Sequence, residues 1–99
     1  MKERVYSLLK RVPMGKVTTY KQLAEAVNTH PRVIGMLMKN NKDPVNIPCY
    51  KVVKSDGSLG GYSGRDGIKT KILLLQKDGI IVKNNKIGLS SYLHSFSKS

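Results

Sequence analysis

The sequence predicts a mainly α domain with a small β component, of the winged helix-turn-helix DNA-binding kind. Three observations carry that expectation. Two short helical patterns are separated by a turn of about three residues at Asn28. The end "GIIVKNNKIGL" reads as a hairpin with Asn84-Asn85 at its tip. Lys and Arg number 18 against 6 Asp and Glu, a formal charge of +12 spread along the whole chain, which points to a polyanionic partner.

From Lys2 to Arg11, Val5, Leu8, Leu9 and Val12 fall at i, i+3, i+4 and i+7, one face of a helix that Pro13 and Gly15 end. In "TTYKQLAEAV", Thr19 lies three residues before Gln22, the capping-box spacing in which each side chain reaches the other's backbone N–H, and Leu23, Ala26 and Val27 form the buried stripe. Asn28 stops this second helix in a left-handed conformation. Thr29 is the expected N-cap of a third, with Pro31 in its first turn, where a missing N–H costs nothing. A recognition helix presents its N-terminal residues to the major groove, which puts Arg32 at the nucleic acid. Gly35 has two readings, a close approach of backbone to DNA or a helix-packing contact.

"NNKDPVNIP" (40–48) is an irregular connector, and "YKVV" is one short strand. "SDGSLGGYSGRDG" holds five glycines in 13 residues, either a ligand-cradling loop or a plain surface loop. Ile68 to Lys77 return to helical spacing with Ile68, Ile72 and Leu75 on one stripe, the hairpin then supplies a wing, and residues 88–99 form a serine-rich frayed tail. The whole of 1–99 is expected to be one domain.

The same residues exclude several classes. The longest apolar run is Ile72 to Leu75, and charges interrupt the N-terminal "MKERVYSLLKRV", so neither a membrane nor a secretory route is expected, and the cytoplasm, on the nucleoid, is the expected location. His30 and His94 lie too far apart for metal-ligand spacing, so no metal and no cofactor are expected. A monomer is expected. The single cysteine, Cys49, can form no internal disulfide. It is either a buried filler or a nucleophile, and Pro48 before it, Lys51 and Lys54 after it, and the glycine loop beyond favour the second. Phosphodiester hydrolysis wants metals and carboxylates, in which the chain is poor, whereas alkyl transfer to sulfur needs neither.

"IPCYKVV" followed by "GSLGGYSG", and preceded by "TTYKQLA" and "PRVIGMLMKNN", resembles the C-terminal DNA-binding domain of the O6-alkylguanine-DNA alkyltransferases, also called methylated-DNA-protein-cysteine methyltransferases, from about Val5 to Gly79. The resemblance implies that Cys49 takes the alkyl group from guanine O6 in double-stranded DNA by in-line displacement, in one turnover that consumes the protein. It implies that Arg32 fills the gap of an extruded nucleotide, with Gly35 and Ser55 also at the DNA, and that the recognition helix docks in the minor groove, against the major-groove expectation above. Tyr20 would help rotate the nucleotide and stabilise the departing guanine. Asn41 would tie the recognition helix to the active-site segment. Pro44, Tyr62 and Ser63 would line the base pocket, and the carbonyls of Val52 and Cys49 would face the base's amino edge.

Two departures stand at the centre of that motif. The family's signature is Pro-Cys-His-Arg-Val, and here Tyr50 and Lys51 replace the histidine and arginine. In the family a glutamate holds the histidine, which draws the thiol's proton through a water. An ordinary phenol, with pKa about 10, is no base at neutral pH, so Tyr50 is expected to orient the water instead. Asp78 is the counterpart of the glutamate. The family's N-terminal domain has no counterpart here. Two other readings remain: an alkyltransferase-like protein that flags the lesion without removing it, and a winged-helix transcription factor with an inert cysteine.

Overall fold

The computed structural model describes residues 2–43, 46–59 and 67–94. In chain order these form α1 (Lys2–Lys10), β1 (Thr18–Thr19), α2 (Tyr20–Ala26), α3 (Pro31–Lys39), a 3-10 turn (Cys49–Lys51), β2 (Val52–Val53), α4 (Gly67–Lys77) and α5 (Leu89–Tyr92). The architecture is mainly helical with one small two-stranded sheet, as expected from the sequence.

Helix α1 buries Val5, Tyr6 and Leu9, and Val12 closes the stripe just beyond it. Thr19 caps α2 by accepting from Gln22 N at 3.0 Å. The reciprocal half of the expected capping box is different: the Gln22 side chain accepts from Thr18 Oγ1 at 3.1 Å, because Thr18 is held next to it in β1. The buried residues of α2 are Leu23 and Ala24 with Val27 after it, while Ala26 is only half-buried. Asn28 adopts φ 58°, and Thr29 N donates to Ala24 O at 2.8 Å, a six-residue closure that ends α2. Helix α3 is capped by His30 and not by Thr29: His30 Nδ1 accepts from Arg32 N at 3.1 Å, with Pro31 at the first helical position. The cap falls one residue later than expected because Thr29 still belongs to the closure of α2 through its N–H, and a histidine ring nitrogen takes the place of the hydroxyl.

"YKVV" yields only Val52–Val53 as strand; Tyr50 and Lys51 sit in the 3-10 turn. The strand pairs in parallel with β1, Thr18 opposite Val52 and Thr19 opposite Val53. Adjacent strand residues point to opposite faces. Here each face meets its own core. Val52 joins Val5, Leu9, Leu23, Ile34, Met38 and Cys49, whereas Val53 joins Val17, Leu59, Leu75, Ile80 and Ile87. The two-residue sheet is thus a partition between a helix-turn-helix core and a wing core.

In α4 the expected stripe is rotated. Ile68 is 38% exposed, Ile72 half-buried, and the buried positions are Lys71 and Leu75. The wing is shorter than the expected hairpin: Lys83 and Lys86 exchange backbone bonds of 3.0 and 2.9 Å around Asn84 (φ 53°) and Asn85 (φ 59°), and the returning arm pairs with Ser58. Nor does fraying begin at residue 88. Leu89–Tyr92 is helical, and Val17 N donates to Tyr92 O at 2.8 Å while His94 N donates to Val17 O at 2.7 Å. Among the described residues no helix is long and apolar enough to cross a membrane.

Candidate active site

Pro48, at φ -77° and ψ 72°, is the centre of a tight turn in which Cys49 N donates to Ile47 O at 2.8 Å, delivering Cys49 to the head of the 3-10 turn. The residue is 5% exposed and packs in the helix-turn-helix core. Tyr50, one position on, packs against the wing core. The candidate site therefore straddles the partition. Asn41, just past α3, donates from Nδ2 to Ile47 O at 2.9 Å and accepts from Asp43 N at 3.0 Å, joining the recognition helix to the segment before the thiol.

The Tyr50 hydroxyl donates to Asp78 Oδ2 at 2.6 Å. Asp78 is placed by the frayed last turn of α4, where its N–H is shared between Leu74 O and Leu75 O. Lys51 Nζ lies 5.8 Å from the centroid of the Tyr50 ring and donates to Val12 O at 2.9 Å. Burial lowers the Lys51 pKa, and the Asp78 carboxylate works against that shift. Tyr50, Lys51 and Asp78 so form one electrostatic unit, directly following Cys49 in the chain.

Three further groups surround Cys49. Tyr20, the first residue of α2, is half-buried, and its pKa is raised by burial first and by the Cys49 charge second. Tyr6 is raised for the same two reasons, and its hydroxyl donates to Leu37 O at 2.8 Å. Lys71 is fully buried, with Nζ donating to Val52 O at 2.7 Å and Leu59 O at 2.5 Å. Desolvation pushes it down to about 8, and the negative charge of Cys49 opposes that shift. Neither Tyr6 nor Lys71 was singled out from the sequence. Lys71 did carry a signal: it stands three residues after Ile68 and four before Leu75, on the apolar stripe itself.

A groove of about 560 Å³ is lined by residues of α2, α3 and the 54–56 turn that include Tyr20, Arg32, Gly35, Lys54 and Ser55; Tyr20 is its link to the thiol, since Cys49 is not among the lining residues. Arg32 is exposed on the first turn of α3. A Cβ at Gly35 would meet nothing within 4 Å, so this glycine leaves open space at the groove and is not a helix-packing contact. Of the expected site residues, Tyr50 and Asp78 are joined by a hydrogen bond, Tyr20, Arg32, Gly35 and Ser55 share the groove, and Asn41 bonds to the segment before Cys49. Val52 is buried. Its carbonyl already accepts from Lys71, and that of Cys49 accepts from Val52 N. Pro44, Tyr62 and Ser63 lie outside the described residues.

The chain is similar to several known proteins. A bifunctional methyltransferase/endonuclease from Picrophilus torridus is 50% identical over 90 residues, 89% of this chain and 30% of its own length. The crystal structure of O6-methylguanine-DNA methyltransferase from Pyrococcus kodakaraensis is 45% identical with a TM-score of 0.72, covering 80% of this chain and 46% of that one. S. pombe ATL in complex with DNA is 27% identical with a TM-score of 0.78, covering 95% of this chain and 94% of that one. The chain spans between about a quarter and a half of the length of the first curated relatives it matches. The family model for "6-O-methylguanine DNA methyltransferase, DNA binding domain" matches residues 1–80, and the chain belongs to that family.

Proposed function

We propose that the chain repairs O6-alkylguanine in double-stranded DNA by moving the alkyl group to Cys49 Sγ, as a single-turnover methylated-DNA-protein-cysteine S-methyltransferase. The observation that carries this reading is the 2.6 Å hydrogen bond from Tyr50 to Asp78, one residue from the thiol, because it supplies a proton acceptor that the phenol alone is not. The thiol proton passes through a water to the Tyr50 oxygen while the Tyr50 proton moves to Asp78. The sulfur lone pair then forms the C–S bond as the C–O6 bond breaks. Guanine leaves with that electron pair and takes a proton from the Tyr20 hydroxyl, which solvent restores.

Magnitudes restrict the timing. Moving a proton from an ordinary thiol, pKa about 8.5, to an ordinary carboxylate, pKa about 4, costs about 6 kcal/mol. A resting thiolate is therefore not made by this relay, and the proton shift accompanies C–S bond formation. The buried Lys71 and the Lys51 ammonium add a positive field that favours the developing thiolate.

Binding the lesion without removing it, as alkyltransferase-like proteins do, is the second reading. It draws support from tyrosine in place of the family's histidine and from the near full-length likeness to S. pombe ATL. Intact mass after incubation with an O6-methylguanine oligonucleotide separates the two. Transfer predicts a gain of one methyl group, lost in Cys49→Ala. Tight lesion-selective binding with no mass gain would replace transfer by sensing.

A further inference from the structure

The wing tip carries a feature that folding does not explain. Lys83 and Lys86 are both exposed and exchange both backbone hydrogen bonds with each other across the two-residue Asn84-Asn85 turn. Residues paired in this way stand with Cα atoms about 5.5 Å apart and project their side chains from the same face. Like charges so placed destabilise a hairpin. Two left-handed asparagines hold the turn that keeps them there.

The tip is also locked to the groove. Ser58 pairs antiparallel with Lys86, Leu59 N donates to Asn85 O at 3.2 Å, and Ile87 N donates to Gly57 O at 2.9 Å. Gly57 has φ +90°, and a Cβ there would lie 2.5 Å from Ile87 O, so the closeness of the two segments depends on glycine. The tip is fastened to Gly57, Ser58 and Leu59, directly after Lys54 to Asp56, which form one wall of the groove that also holds Arg32. Asp56 lies within electrostatic reach of Lys86.

We propose that the Lys83 and Lys86 ammonium groups together grip one phosphate of the DNA backbone beside the Arg32 groove. An anion between the two lysines turns their mutual repulsion into shared attraction, and the locked wing fixes where along the duplex that phosphate falls. The contact carries no sequence information; it sets the register of the groove on the strand. This inference rests on the DNA-binding part of the proposed function and not on alkyl transfer.

The test measures affinity for an undamaged duplex against salt concentration. Each phosphate contact contributes about 0.9 to the slope of log K against log salt. The double variant Lys83→Ala, Lys86→Ala is expected to lower the slope by about 0.9, with a melting temperature equal to or above wild type. Lys83→Arg, Lys86→Arg should keep the wild-type slope. Lys2→Ala, Lys10→Ala removes the same net charge from the exposed face of α1 and should leave the slope unchanged. An unchanged slope in the wing variant, or an equal fall in the α1 variant, would overturn the proposal. Methyl transfer is scored separately by intact mass, so a chain that binds with the expected slopes but gains no methyl keeps the wing contact and loses alkyl transfer.

Discussion

Tyr50→Phe removes one oxygen and tests the relay directly. The lost bond is a 2.6 Å O–H to a carboxylate, the short, charge-assisted kind that contributes about 1.5–3 kcal/mol. Both partners are half-buried, so water takes over part of the Asp78 hydration, and the lower end, about 1.5 kcal/mol, is expected. For a domain of this size that is a fall in melting temperature of roughly 6–12 °C. Positioned acid–base groups contribute about 10²–10⁴-fold to rate, so methyl transfer should slow by at least about 100-fold while lesion affinity stays within a few-fold of wild type. Rapid-quench transfer and equilibrium binding on the same oligonucleotide read the two quantities. Asp78→Asn should slow transfer similarly, and the double variant should be little slower than either, since the two residues act as one unit. Equal transfer rates in Tyr50→Phe and wild type would refute the relay, whatever the melting temperatures.

Gly35→Ala should raise stability by about 1 kcal/mol, because alanine is the better helix former and its methyl meets nothing within 4 Å; the same methyl projects into the groove, so duplex affinity should fall. Thermal melting and a binding titration check both signs, and a variant that melts lower would show the space to be closed. Lys71 gives a pH signature. It is held at about 8 in the folded chain against 10.5 when exposed. Between those values the unfolded chain binds a proton that the folded chain has released, so stability rises with pH, and below about 8 the full penalty remains. Urea unfolding should show wild type gaining roughly 2 kcal/mol relative to Lys71→Met between pH 7.5 and 9.5; parallel profiles would contradict it.

Local chemistry made much of the fold legible. The helices of the N-terminal half, the Thr19 cap, the Asn28 stop and the Asn84-Asn85 turn each depend on residues within four positions of one another, and each stands where the sequence put it, within a residue or so. What was missed depends on distant partners. Lys71 reads as a solvated lysine until Val52 O and Leu59 O, 19 and 12 residues away, are seen to receive its protons. The pairing of Thr18 with Val52 leaves no periodic trace in two-residue strands. The serine-rich tail gave no sign that its backbone would bond to Val17. In the site, the family resemblance made both the motif around Cys49 and the pairing of position 50 with Asp78 legible, and the geometry joins Tyr50 to Asp78 across 28 residues.

Val17 has a bearing on how the chain is made. Its side chain is fully buried, and its N–H and C=O are both met by residues 92–94. An unpaired backbone group in such a place costs about 1–3 kcal/mol. The family model ends at residue 80, yet a chain cut there would leave both groups without these partners. During synthesis α1, α2, α3 and the pairing of Thr18–Thr19 with Val52–Val53 draw only on residues up to 53, whereas the partners of Val17 emerge much later. The contact that seals the edge of the wing core is thus the last to be made in chain order, after the segment that carries Cys49 has its strand partner.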